Sequence, residues 1–343
     1  MSEKNSRGSA LNWTSLFKWA LAVGLVTYLI RSDRLSFSEL GPLFSSPEWT
    51  LLILVGVYAL LAVGFWRWRI LVQRLGVQMS FFDAMRLGMV GAFFSAVLPG
   101  TVSGDVVKAV YVARRYPSRR TLTVSSVLLD RGLGLVALIG VGGVGYLLGR
   151  ERIEALADGP RLLMTTLGHL LVWGLAASLA GLVLVPLLHE KLRALVPPRF
   201  RAMRLGRILD DVLRIYGSQA AMLWFVYGLS FVIHVANLGL MYGMAQLLFG
   251  HAVELPFSLF VMAASMGLCA MSLPIAPMGL GVGQLAFASM FQALAVSPPS
   301  FGATLITGFQ ALSLIVNLSG GLFYLTYRHE VPLSDVEGGD SLA

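Results

Sequence analysis

Cysteine occurs once in 343 residues, at Cys269. A single thiol excludes an internal disulfide and any cysteine-based metal cluster, and its place within an apolar run reads as a small buried side chain. Charge is scarce as well. Only 13% of the residues are Asp, Glu, Lys or Arg, about half of the roughly 25% usual in soluble domains. No His-Glu-x-x-His pair, Walker-type glycine loop or His/Cys ligand cluster occurs, so nothing points to a metal, a nucleotide or covalent catalysis. Neither an enzymatic activity nor a cofactor is expected.

What the chain has instead is apolar length. With 56% hydrophobic residues and a mean hydropathy of +0.75, its runs are too many and too long for a soluble core, which implies an all-α, polytopic membrane protein. The net charge of +8 comes from arginines in loops between apolar spans. That fits the positive-inside bias and contact with anionic lipid headgroups rather than nucleic acid.

Read in order, residues 1–15 form a polar tail and 16–30 a first span with Lys18 snorkelling near its cytoplasmic end. A basic tail before an apolar run also suits a secretory signal, but Thr27-Tyr28-Leu29-Ile30-Arg31 offers no small-residue cleavage site, so a retained anchor is expected. After a loop at 31–48, residues 50–66 form a second span. Trp66 and Trp68, alternating with Arg67 and Arg69, read as an interfacial belt with basic anchors. The run 82–98 leads into Leu98-Pro99-Gly100-Thr101-Val102-Ser103-Gly104-Asp105, followed by Lys108 and a cluster of Arg114, Arg115, Arg119 and Arg120. Residues 122–148 are apolar except for Asp130-Arg131, and 162–188 form a further span. In the basic segment 189–217, Leu205, Ile208, Leu209, Val212, Leu213 and Tyr216 recur at helical spacing, which predicts an amphipathic helix on the cytoplasmic surface. A span at 221–249 and a second broken element at 257–295 follow. The latter contains Leu273-Pro274-Ile275-Ala276-Pro277-Met278-Gly279-Leu280-Gly281. The last span is 303–327, and an acidic tail covers 328–343.

The Arg/Lys-rich loops at 67–74, 114–120 and 189–214 should all be cytoplasmic. The first two flank the run 82–98, so a crossing there would put one of them outside. A re-entrant hairpin turning at Pro99-Gly100 removes the conflict. A matching hairpin around Pro274 then gives six full spans and two hairpins in inverted halves, about 16–150 and 160–327, with both termini cytoplasmic in the inner (plasma) membrane. The alternative is about nine complete spans with Arg114–Arg120 outside.

Within this frame Asp105 and Lys108 share a helix face and can pair. Asp130 and Arg131 lie about 100° apart and need different partners. Charges at bilayer depth usually face a cavity and work there; the plainer reading is that they hold the first hairpin to the third span. Pro99 and Pro274 end the incoming helices, Gly100, Gly104, Gly279 and Gly281 allow tight turns, and Pro277 lies in the second turn. Each hairpin would present a helix N-terminus suited to phosphate, unless the glycines serve only close packing. Arg86 stands near the start of the first hairpin, placed for the interface or a phosphate. His169, His234, Asn237, Gln284, Gln310 and Asn317 read as interhelical hydrogen-bonders.

Together, Leu98-Pro99-Gly100 with Gly104-Asp105, Leu129-Asp130-Arg131, and Leu273-Pro274 with Gly279-Leu280-Gly281 resemble the lysylphosphatidylglycerol-synthase transmembrane-region family of flippase-like proteins, over about 15–327. The resemblance implies translocation of lipids or lipid-linked intermediates between leaflets. The soluble aminoacyl-transferase domain of some members is not implied. Ser103 and Gln284 stand where members often have a glycine and a glutamate, and loss of that carboxylate argues against proton coupling at the second hairpin. The expectation is therefore a flippase or scramblase whose partners are membrane lipids with anionic or phosphate-bearing headgroups. The alternatives are an ion-coupled transporter of a small polar or anionic solute, and a non-transporting scaffold for a lipid- or glycan-modifying enzyme.

Overall fold

The structure, a computed structural model, describes residues 13–98, 103–117, 120–250, 255–273 and 279–327. Within them the chain is helical throughout, with no strand. The helices are α1 (Trp13–Arg31), α2 (Gly41–Ser45), α3 (Pro47–Arg74), α4 (Phe81–Val97), α5 (Ser103–Arg115), α6 (Arg120–Glu154), α7 (Asp158–Leu195), α8 (Pro198–Ala202), α9 (Arg204–Tyr216), α10 (Ala220–Phe249), α11 (Phe257–Ser272), α12 (Val282–Ala293) and α13 (Phe301–Tyr327). Helix is the only local structure these segments can adopt in lipid without leaving backbone groups unpaired. Five helices, α3, α6, α7, α10 and α13, are long and apolar enough to cross a bilayer. The sixth expected span corresponds to α1, of 19 residues. The 31–48 connection folds into short helical turns. It is tied to the start of α13 by the Ser36 N–H donating to the Thr304 hydroxyl (3.1 Å) and the Ser300 hydroxyl donating to Glu39 (2.8 Å).

The two broken elements are helical hairpins. Helices α4 and α5 have 17 and 13 residues, and α11 and α12 have 16 and 12. At 1.5 Å per residue none exceeds about 26 Å, short of the roughly 30 Å hydrocarbon core. Their register is antiparallel. Arg115 closes back onto Asp83 (3.0 Å), Lys108 crosses α4 at Gly91, and Gly104 packs against Gly91 and Ser95. In the second hairpin the Phe260 and Phe291 rings meet (5.5 Å between centroids), and Met271 packs on Gly279 and Gly283. The Arg115–Asp83 pair returns the basic end of α5 to the level where α4 begins, as a hairpin requires and a crossing forbids.

Close approach explains Gly104. A Cβ there would overlap the Gly91 carbonyl and the Ser95 hydroxyl, so any other residue would push the two arms apart. Gly281 answers a different need: its φ of +78° lies where side chains are disfavoured, and it starts α12. The turn residues Pro99, Gly100, Pro274 and Pro277 lie outside the described residues.

Each hairpin is clasped between the same two spans. The first arm α4 packs on α13 and the second arm α5 on α6; α11 packs on α6 and α12 on α13. Two apolar clusters result, one around Trp68, Val90, Tyr111 and Val127, the other around Met241, Met262, Phe287 and Phe291, and α6 contributes to both.

Helix α9 forms where the amphipathic pattern places it. Leu213 is buried and Leu209 exposed. Arg193, at the end of α7, donates to both carboxylate oxygens of Asp210 (3.0 and 3.4 Å), and this hydrogen bonding holds the Asp210 carboxyl below the ordinary carboxylate range. A lowered folded-state pKa stabilises docking above the unfolded value of about 3.9 and is lost as pH falls through the folded one. A spin label at Arg207 should therefore keep constant mobility from neutral pH down to about 5 and loosen below about 4. Asp210→Asn should be loose already at neutral pH.

The hairpin register has its own check. In a Cys269→Ala background, cysteines placed at Arg74 and Arg115 should both react with an impermeant thiol reagent from one face of the membrane. Labelling from opposite faces would rule the hairpin out.

Candidate functional site

Ionisable groups gather where α3, α5, α6 and α10 meet. Arg67, seven residues before the end of α3, is 9% exposed. Its Nε donates to Asp130 Oδ1 of α6 (2.9 Å), its Nη1 to the Ser230 hydroxyl of α10 (2.8 Å), and its Nη2 to the Asp130 carbonyl (3.4 Å). The guanidinium lies beside Gly134, where the absent side chain leaves it room against α6. The Gly134 carbonyl in turn pairs with Nε2 of His234 (2.9 Å). Trp68 is fully buried and donates its indole N–H to Ser126 (3.2 Å).

One residue on from Asp130, Arg131 points to another side of α6 and pairs with Asp105 of α5. These side chains are 36% and 30% exposed, whereas Arg67 and Asp130 are 11% and 14%. The outer pair is embedded in apolar surface. Leu128 and Leu135, at i−3 and i+4 from Arg131, are 46% and 38% exposed, and Val106, beside Asp105, is 57% exposed. Lys108 takes neither carboxylate; its Nζ stands over the Trp68 ring, 3.8 Å from the centroid.

These positions confirm that Asp130 and Arg131 have different partners and correct two other expectations. Asp105 and Lys108 share a face of α5 but do not pair, because the packing of α5 on α6 brings a better-placed guanidinium to Asp105. Arg67 and Trp68 are not interfacial anchors, since α6 and α10 cover that face of α3; Trp66 is 37% exposed. Sequence reasoning thus missed Arg67. A signal existed, since Arg67 is at i−4 from Leu71 on the buried stripe of α3, whereas Arg69 turns away to the Met79 carbonyl (2.7 Å).

Arg86 is exposed on α4, in the turn after Asp83. Gln284 is 1% exposed and fully engaged. Its Oε1 accepts the Gly281 N–H (2.7 Å), and its Nε2 donates to Thr307 (3.2 Å) and Gln310 (2.6 Å) of α13. It therefore ties the start of α12 to the last span. The two hairpins correspond here. Asp105 and Gln284 are each the third residue of a second arm, each behind a glycine, and each bonds a residue 26 positions onward, Arg131 or Gln310. One contact is ionic and the other is between amides. Tyr146 meets His169 (3.3 Å), as expected of an interhelical hydrogen bond.

An open hollow of about 620 Å³ lined by Arg69, Gln73, Gln78 and Asp83 lies at the charged end of the first hairpin, about ten residues of α5 from Asp105. Arg69 and Gln73 already donate to the Met79 carbonyl there. No group of three or more potential metal ligands occurs among the described residues.

Long apolar helices, two short hairpins and a charge cluster deep among them define an integral, polytopic helical membrane protein. The family model of the lysylphosphatidylglycerol synthase TM region matches residues 15–321, most of the chain, and the chain belongs to that family. No curated protein and no solved structure matches it.

Removing one partner of a buried pair strands the other charge, at a cost of about 3–5 kcal/mol. Arg67→Ala should therefore lower the thermal unfolding temperature in detergent markedly, and the double variant Arg67→Met/Asp130→Leu should recover much of the loss. A wild-type unfolding temperature for Arg67→Ala would contradict the pairing.

Proposed function

We propose that this chain moves lipid headgroups between leaflets along the seam of α5 and α6, as a flippase or scramblase of phospholipids or lipid-linked intermediates. The observation that carries the reading is the Asp105–Arg131 pair, about a third exposed in an apolar, outward-facing stripe. Arg131 is nine residues beyond Leu122, about 14 Å along α6 and so near mid-depth of a hydrocarbon core roughly 30 Å thick. An ion pair there is costly unless it has polar work to do. A carrier of water-soluble ions gains by enclosing its charges away from lipid. This pair instead opens sideways, so a headgroup can reach Arg131 while its acyl chains stay against Leu128, Leu135 and Val106.

In this reading the Asp105–Arg131 bond is the closed state of the path; an entering phosphate takes the guanidinium from Asp105, and Asp105 must retake it for the phosphate to leave, so both residues are needed for turnover. The Arg67–Asp130–Ser230 set behind it holds α6 in place. The basic ends at 69–74, 114–120 and 189–214 face the cytoplasm, both termini lie on that side, and the membrane is the cell's inner (plasma) membrane.

Reconstituted into vesicles, the wild-type protein should expose fluorescent phospholipid of the inner leaflet to an impermeant quencher. Asp105→Ala and Arg131→Ala should each slow this by at least about tenfold, the equivalent of 1.4 kcal/mol, with expression and monodispersity kept. Full activity in both variants would end the reading.

A further inference from the structure

Counting the charges of the cluster leaves one cation over. Arg67 is matched by Asp130 and Arg131 by Asp105. Lys108 is 7% exposed, and its ammonium has no hydrogen-bond acceptor among the described residues; its contact is the face of Trp68 at 3.8 Å. A ring face attracts a cation through its quadrupole but does not neutralise it. The polar side chains around Trp68 and Arg67 are hydrogen-bonded among themselves and to backbone carbonyls. The Trp68 N–H is given to Ser126, the Ser126 hydroxyl to the Thr123 carbonyl, the Ser230 hydroxyl to the Val226 carbonyl, and His234 to the Gly134 carbonyl. The corresponding contact of the second hairpin, Gln284–Gln310, is neutral and offsets nothing. Three cations therefore face two carboxylates, and the unmatched one stands a single helical turn from Asp105, on the same face of α5.

Resting on the headgroup path above, we propose that Lys108 is its anion-recognition residue, so that the path selects headgroups of net negative charge, a phosphodiester without its own ammonium. A zwitterionic headgroup brings a cation into a place already one positive charge in excess, and an aminoacylated headgroup brings a larger excess. In surroundings of lower dielectric that repulsion is stronger than it would be in water. An anionic headgroup supplies the missing charge. The Gly91 crossing that makes room for the Lys108 stem and the wholly buried Trp68 beneath its ammonium hold the charge in place before the lipid arrives.

The test uses vesicles of phosphatidylcholine carrying traces of acyl-labelled phosphatidylglycerol, phosphatidylcholine or lysylphosphatidylglycerol, with leaflet exposure read by the quencher. The wild type should move phosphatidylglycerol at least about tenfold faster than phosphatidylcholine, a ratio worth 1.4 kcal/mol, and the lysyl lipid slowest. Lys108→Gln should bring the ratio of the first two close to one, and Lys108→Arg should keep it. Lys108→Met, checked for monodispersity, guards against a folding defect particular to the glutamine. Equal wild-type rates, or an unchanged ratio in both Lys108→Gln and Lys108→Met, would overturn the selectivity and leave the path standing. If no labelled lipid moves, the path itself fails. Native mass spectrometry of the protein from equimolar phosphatidylglycerol and phosphatidylcholine then decides recognition alone: retained phosphatidylglycerol, lost in Lys108→Gln, supports it, and equal retention refutes it. Millimolar glycerol phosphate should not slow phosphatidylglycerol movement; slowing would make the ligand a soluble anion and overturn the lipid assignment.

Discussion

A charge carried into hydrocarbon must be matched there, and the Arg67–Asp130 pair is where this protein meets that demand most completely. Three donors of one guanidinium reach α6 and α10 from α3, so the orientation of α6 about its axis is set by a bond too costly to break. The next residue has no freedom after that. Arg131, about 100° further round, must emerge on the side where α5 lies and where the helix otherwise shows leucine. The inner pair is structural, and through it the outer pair acquires its exposed position.

The hairpins obey a geometric version of the same rule. Helices shorter than the bilayer can sit at membrane depth only if protein covers their ends, and α6 and α13 supply that cover by taking one arm from each hairpin. Gly104 lets the arms of the first touch at the backbone. What distinguishes the halves is chemistry at one shared contact. Asp105–Arg131 can exchange its carboxylate for another anion, whereas Gln284–Gln310 has no charge to exchange and also secures the start of α12.

Much of this was legible beforehand. Apolar run lengths gave the helices and their order, and the conflict between the arginine loops at 67–74 and 114–120 gave the first hairpin, whose Arg115–Asp83 closure agrees. Gly281 was legible as a turn residue because its neighbours include prolines and glycines. Arg67 was not, because a Trp-Arg-Trp-Arg string near a helix end has the same composition whether it faces headgroups or a buried aspartate. The Asp105–Lys108 pairing failed for a related reason: spacing shows which residues share a face, while the partner is chosen by whatever helix packs against that face.

The amino-acid sequence by itself determined that the chain is a bundle of membrane helices, where its helices break, and that Asp105, Lys108, Asp130 and Arg131 fall among its apolar segments, since hydropathy, prolines and glycines act locally along the chain. Only the tertiary structure decided that Arg67 joins them, that the four carboxylate and guanidinium groups pair crosswise between helices, and that Lys108 is left over. Pairing in hydrocarbon depends on distances of a few ångströms between helices remote in sequence, and those distances are set by packing.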